Sequence, residues 1–249
     1  MQLLLAIYSI ILGLVIGSFL NVCILRYQSH EPISKGRSHC PKCNHTLSWY
    51  ELIPLFSWIG LKGKCKHCHQ PISIQYPIVE SLTAICFLIL YLKFGITLDT
   101  LIYFIFASVL IYAAVIDLQT MIIPDRTHIL CLLCGVLLLI LHPSQLTDRL
   151  IGAVVVCIPL LIIAYLTKGM GYGDVKLMGA AGFVLGWQNI LLSMMIASIT
   201  ASIVGIISTR MKKTSLKSEM PLGPHLIFAI LFCLVYGQSL INWYLSSFF

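Results

Sequence analysis

Charge is what this chain has least of. Asp, Glu, Lys and Arg make up 10% of its 249 residues, against 59% hydrophobic residues and a mean hydropathy of +0.95. Too few polar side chains remain to cover a core, which excludes an ordinary soluble domain and points to a polytopic membrane protein. Internal repeats and low-complexity tracts are also lacking. No basic segment precedes the first apolar run, which is too long for a signal-peptide core and is followed directly by Arg26, so it reads as a retained first span. No Ser-His or Cys-His arrangement stands out, and no Gly-rich nucleotide-binding loop is visible.

What is present is a series of apolar runs, at roughly 2–25, 78–93, 99–116, 127–142, 149–167, 175–188, 189–209 and 224–247, each near the roughly 20 residues that a membrane helix needs. The expected fold is therefore all-α, a helix bundle with about eight transmembrane helices. Residues 1–249 read as one integral membrane domain, with a polar loop at 26–76 between the first and second spans. The weakest boundary is Gly186-Trp187-Gln188-Asn189, where a short turn must split the run from 175 to 209.

Basic residues set the orientation, because cytoplasmic loops carry the excess of Lys and Arg. Arg26, Lys35, Arg37, Lys42, Lys62, Lys64 and Lys66 lie in the polar loop, Arg126 and Lys168 in later turns, Lys176 beside the second of these, and Arg210, Lys212, Lys213 and Lys217 in the last loop. Only Lys93 and Arg149 fall on the opposite side. The net charge of +7 is thus a topology signal and not a nucleic-acid footprint. Both termini are expected outside and the basic loops in the cytoplasm.

Within the polar loop, Cys40-Pro-Lys-Cys43 and Cys65-Lys-His-Cys68 form two C-x-x-C knuckles separated by 21 residues, a spacing that folds four thiolates around one tetrahedral zinc. Lys42, Lys64 and Lys66 add positive charge that favours thiolates. Disulfides are the competing reading, and placement in a reducing compartment argues against them. A site with four cysteine ligands is closed to substrate, so its expected role is structural. His39, His45, His67 and His69 read as exposed loop histidines, and Cys131 and Cys134 as small apolar side chains within a helix.

Of nine acids, Glu31, Glu51, Asp99, Asp148 and Glu219 read as solvated loop charges. Glu80, near the start of the second span, fits a helix-cap charge. Asp117 closes one apolar run, and Gly171-Tyr172-Gly173-Asp174 opens another on the same side. Ionisable groups at membrane depth are functional by default. Two aspartates sharing a proton, one a base toward water and the other an acid toward a carbonyl, are the aspartic-protease solution. Gly171 and Gly173 would let a substrate backbone come close to Asp174 and would permit unusual dihedral angles. Against this stands an ordinary glycine turn with Asp174 capping the next helix. Lys176 reads as an interfacial anchor.

These residues together resemble the type IV prepilin peptidases, membrane aspartyl proteases with a G-x-G-D motif. The resemblance spans nearly the whole chain: Gly17-Ser18-Phe19-Leu20-Asn21-Val22, the two cysteine knuckles, Trp49-Tyr50-Glu51-Leu52-Ile53-Pro54, and Tyr76-Pro77-Ile78-Val79-Glu80. It continues through Asp117 with Ile123-Pro124-Asp125 and then Gly171–Lys176. Pro221-Leu222-Gly223-Pro224 is similar to the family's closing motif, which usually has Phe at the position of Leu222. The resemblance implies catalysis by Asp117 and Asp174, with Asp125 a neighbour outside the pair. It also implies a multi-pass protein of the bacterial cytoplasmic membrane serving pili or protein secretion. Its substrates would be prepilins or pseudopilins whose short basic leader is cut at the cytoplasmic face, just before their hydrophobic helix. Members with the cysteine loop often also methylate the freed amino terminus with S-adenosylmethionine, and that activity rests here on the resemblance alone.

Two other classes compete. In a transporter, Asp117 and Asp174 would be ion-binding carboxylates; neither lies mid-span, and the paired halves of such proteins are missing. In a thiol oxidoreductase the C-x-x-C pairs would cycle, but their spacing favours metal.

Overall fold

The computed structural model describes residues 1–29, 31–32, 36–40, 42–167, 169–212 and 221–248. Lys35, Pro41, Lys168, Lys213, Lys217 and Glu219 lie outside them. The chain divides into two compact units, Met1–Thr100 and Leu101–Phe249.

The first unit contains α1 (Gln2–Ser29), the five-residue α2 (Phe56–Gly60) and α3 (Gln75–Phe94). α1 lies directly on α3 because Gly13 and Gly17, one turn apart, leave its surface bare. A Cβ on Gly13 would come 2.6 Å from the Ala84 Cα, and one on Gly17 2.7 Å from the Glu80 Cα. Such small-residue stripes are how helices approach closely in lipid, where no hydrophobic force drives them together. One turn on, Asn21 donates from Nδ2 to the Tyr76 carbonyl at 3.1 Å, tying α1 to the first turn of α3. Arg26 turns away from the apolar helix and donates to the Gly36 carbonyl at 2.8 Å and the Pro32 carbonyl at 3.2 Å, organising the loop that follows.

The second unit is built from α4 (Leu98–Thr120), α5 (Asp125–Leu141), α6 (Leu146–Val155), α7 (Cys157–Thr167), α8 (Tyr172–Leu185), α9 (Trp187–Lys212) and α10 (Gly223–Phe248). α4 starts at the unit boundary, and its apolar face, including Phe106, Leu110 and Ala113, joins Leu177, Ile190 and Leu226 in one core. All eight apolar runs are helical. The run at 149–167 breaks at Val156, between α6 and α7. Pro159 explains the break, since it has no N–H to offer the Val155 carbonyl.

Among the described residues, six helical segments are long and apolar enough to cross a membrane. The other two runs, α5 with 17 residues and α8 with 14, would extend only about 26 and 21 Å, short of a hydrocarbon core of about 30 Å. α8 is enclosed instead by α5, α6, α7, α9 and α10. Its Gly179-Ala-Ala-Gly182 segment permits this, because Gly182 meets the Gly152 backbone of α6 where neither could carry a side chain. The predicted turn at Gly186 is present, with φ of +80° and its N–H bonded to the Gly182 carbonyl at 2.9 Å. Arg149, read from sequence as an outer-loop charge, is buried and donates to the Val184 carbonyl at 2.7 Å. It caps the C-terminus of α8, where the helix dipole favours a cation.

Candidate active site and metal centre

Asp117 and Asp174 occupy the same unit. Asp117 sits in the last turn of α4 and is buried at 5% exposure, while Asp174 is half-buried in the first turn of α8. The two are near enough for their charges to interact. Gly171 precedes α8 as its N-cap with φ −68° and ψ 133°, and the Asp174 N–H bonds back to its carbonyl at 3.1 Å. Neither Gly171 nor Gly173 has a positive φ, so the expectation of unusual dihedral angles there is corrected. What these positions use is the missing side chain. A Cβ on Gly173 would press within 3.3 Å of Ile123, in the turn before α5, and one on Gly171 would stand 3.5 Å from Asp174 Oδ2.

A third motif completes this arrangement. The Gly223 N–H, at the first residue of α10, donates to Asp117 Oδ2 at 3.1 Å. The amides at a helix start have no partner within the helix and carry its positive dipole end, so a carboxylate is a suitable acceptor. A Cβ on Gly223 would lie 2.5 Å from that same Oδ2, so only glycine lets the amide come this close. The Pro221–Pro224 motif pointed to this region, but its hydrogen bond to Asp117 could not be foreseen from spacing.

His128 was missed altogether. It lies one turn into α5, buried at 5% exposure, with Nε2 3.0 Å from the Gly173 carbonyl and Nδ1 3.6 Å from Asp125 Oδ1. Asp125 Oδ1 in turn accepts from Lys176 Nζ at 2.7 Å. Lys176, read from sequence as an interfacial anchor, therefore ties the N-terminal part of α8 to the start of α5. Asp125 is exposed and belongs to this brace, one residue beyond Pro124. His128 holds the backbone immediately before Asp174.

The four predicted cysteine ligands come together in the first unit. All four sulfurs lie within 4.8 Å of one another, and Cys40 and Cys68 are 3.9 Å apart. Four thiolates at about 2.3 Å from one ion would sit about 3.8 Å apart, so the donor set fits a metal ion, whereas a disulfide needs about 2.0 Å. The two knuckles share one backbone plan. Cys40 and Cys65 each receive an N–H from four residues on, Asn44 and His69, at 2.9 and 3.0 Å. Each also donates its own N–H five residues ahead, to the His45 and Gln70 carbonyls at 2.9 Å. Asn44 and His69 take the left-handed φ values, 55° and 56°, that fold each turn over its sulfurs. Backbone N–H groups of Cys68 and then His67 aimed at Cys65 lower its thiol pKa to about 7, which favours the thiolate that a metal requires. His45 and His67 stack on each other with centroids 3.6 Å apart. Lys66 donates to the Tyr50 hydroxyl at 3.1 Å and lies over its ring. Cys131 and Cys134 are buried in α5, as expected.

Two acids set aside from sequence are not solvated. Glu51, at 9% exposure, accepts the Ser48 N–H at 2.8 Å. Glu80, at 5% exposure, lies beyond the first turn of α3 and accepts the Leu55 N–H at 2.8 Å. Leu55 has a left-handed φ of 59°. Glu80 is thus no cap for its own helix but a buried acceptor for the loop.

Comparison with known proteins follows the same division. Residues 11–94 match the Bacterial Peptidase A24 N-terminal domain, and residues 104–206 match the Type IV leader peptidase family. The prepilin leader peptidase/N-methyltransferase of Aeromonas hydrophila is 34% identical over 267 aligned residues, covering 95% of this chain and 92% of that relative. The protein of the same name from Bacillus subtilis is 33% identical over 238 residues, covering 95% and 96%. That from Myxococcus xanthus is 36% identical over 209 residues, covering 81% and 62%. No solved structure matches the chain.

Proposed function

Because the chain belongs to the type IV leader peptidase family and shares its processing and methylating functions, we propose that Asp117 and Asp174 are its proteolytic pair. The transporter alternative has no support among these relatives. The observation that carries the proposal is the convergence of three distant motifs in one unit, with the Gly223 amide on Asp117 and Asp174 within range of its charge.

Two neighbouring carboxylates do not both ionise readily, so the pair shares one proton. Asp117, which holds the Gly223 N–H, is the member favoured to carry the charge and takes a proton from the attacking water. Asp174 keeps the shared proton and gives it to the oxygen of the scissile carbonyl. The bare backbone at Gly171 and Gly173 leaves room for an extended substrate chain beside Asp174. Substrates are prepilins or pseudopilins, whose hydrophobic helix enters from the bilayer and presents the leader junction at the membrane face. The excess of basic loops argues that this face is cytoplasmic, in the bacterial inner or plasma membrane. Residues 1–249 act as one membrane-embedded enzyme.

The four-cysteine cluster is proposed to hold zinc. Closed by four thiolates, it has no position for substrate or water and serves to fold the polar loop. S-adenosylmethionine is proposed as the methyl donor, supplying an electrophilic methyl group to the new amino terminus. Incubating purified protein with a prepilin, with and without S-adenosylmethionine, tests both halves in one mass spectrum. Loss of the leader in both samples and an added methyl mass only with the donor is expected. An intact leader would overturn the peptidase reading, and no added mass would overturn the methyl-transfer reading.

A further inference from the structure

The polar loop carries an apolar ridge that neither the cysteine centre nor the aspartate pair uses. Trp49, Phe56 and Ile59 are 77%, 70% and 64% exposed, and Tyr50, Leu52 and Ile53 are exposed beside them. Phe56 and Ile59 stand one turn apart on one face of α2. Trp58, between them, turns inward. Its indole N–H donates to the Ile72 carbonyl at 3.4 Å, and its ring lies on Gly63, where a Cβ would come within 2.9 Å. Trp49 meets Tyr50 edge-on, with ring centroids 5.8 Å apart. A contiguous apolar patch of this kind on a loop marks a surface that something covers.

The depth of the ridge says what covers it. α3 has 20 residues, about 30 Å of helix, just enough to cross a hydrocarbon core of about 30 Å. Glu80 lies about 7 to 8 Å along it from Gln75, within the cytoplasmic edge of that core if all of α3 spans it. The Leu55 N–H donates to Glu80 Oε2 at 2.8 Å, so Leu55, and Phe56 next to it, sit at the level of the bilayer edge and not above it. The charges that follow agree with this level. Lys62 and Lys64 are exposed, and Lys66 Nζ donates to the Tyr50 hydroxyl at 3.1 Å, which keeps a cation beside the ridge. Aromatic rings at headgroup depth with lysines next to them are the composition of segments that lie in an anionic membrane interface.

We propose that this ridge is an interfacial membrane anchor. Trp49, Phe56 and Ile59 insert at the boundary between headgroups and acyl chains beside α1 and α3, while Lys62, Lys64 and Lys66 pair with anionic headgroups. The limb of the polar loop between its two cysteine knuckles therefore lies on the bilayer.

The test uses full-length protein in nanodiscs of phosphatidylethanolamine and phosphatidylglycerol, doped with a phospholipid whose acyl chain carries a diazirine just below the glycerol. After illumination, lipid adducts are mapped by mass spectrometry, with the exposed faces of α1 and α3 as the internal reference. Adducts within residues 49–59 at a yield comparable to that reference are expected. In Phe56→Ser/Ile59→Ser they should fall by about tenfold or more, with metal content and melting temperature retained. Lys62→Glu/Lys64→Glu, which changes exposed side chains alone, should lower them by about tenfold or more in these discs and leave them at the wild-type level in discs of phosphatidylcholine. That second variant decides the matter should the first fail to fold. Labelled α1 and α3 with no adducts in 49–59 would overturn the proposal, as would adducts that persist in either folded variant. A ridge that takes label from a prepilin carrying the diazirine in its hydrophobic helix, and none from lipid, would also overturn it and assign the surface to substrate.

Discussion

The cysteine centre of the first unit and the aspartate pair of the second are built on opposite plans. The cysteines come from two copies of one tight turn within a single loop, with Cys40 and Cys68 28 residues apart, and their sulfurs close on one another. The aspartates sit on separate helices, and the amide that holds Asp117 comes from 106 residues further along the chain. One plan uses up its donors and is suited to holding a fold. The other leaves Asp174 half-buried and flanked by bare glycine backbone, which suits a site that must admit a peptide. Damage to the first should therefore be felt as lost structure, and damage to the second as lost chemistry.

The largest expected break is Asp117→Asn or Asp174→Asn. Either should lower leader cleavage by about 10³-fold or more without changing the melting temperature, measured on a purified prepilin. Cys40→Ser or Cys68→Ser should do the reverse. Zinc per chain measured by mass spectrometry should fall, and melting should drop by about 10 °C or more, while cleavage per folded molecule stays within about threefold. Unchanged melting with lost metal would remove the structural role.

Gly223→Ala inserts a methyl group against Asp117 Oδ2 and should cost about 10²-fold in cleavage, the scale of a 1 Å misplacement. His128→Ala should cost about tenfold, by freeing the Gly173 carbonyl, with partial recovery in His128→Gln, whose amide can still donate. Asp125→Asn should be mildest, within about threefold, because its ion pair with Lys176 is exposed.

Much of this was legible in the sequence wherever the signal is local. Apolar runs mark helices, C-x-x-C marks a knuckle, and Gly186 marks the end of α8. Groups whose environment is made by distant residues were not legible. Glu51 and Glu80 look alike as charges near a loop, and only folding that loop back over α3 buries them. Arg149 reads as an outer-loop cation until the C-terminus of α8 arrives beside it. His128 sits in an apolar helix with no motif around it, and its role depends on the carbonyl of Gly173, 45 residues away.

The central claim, that Asp117 and Asp174 act as one unit, is tested most directly by comparing single-turnover leader cleavage in Asp117→Asn, Asp174→Asn and the double variant. The account predicts that the double variant is no slower than either single one, because removing one member already disables the pair. Measurable cleavage in either single variant that falls further, multiplicatively, in the double would contradict it.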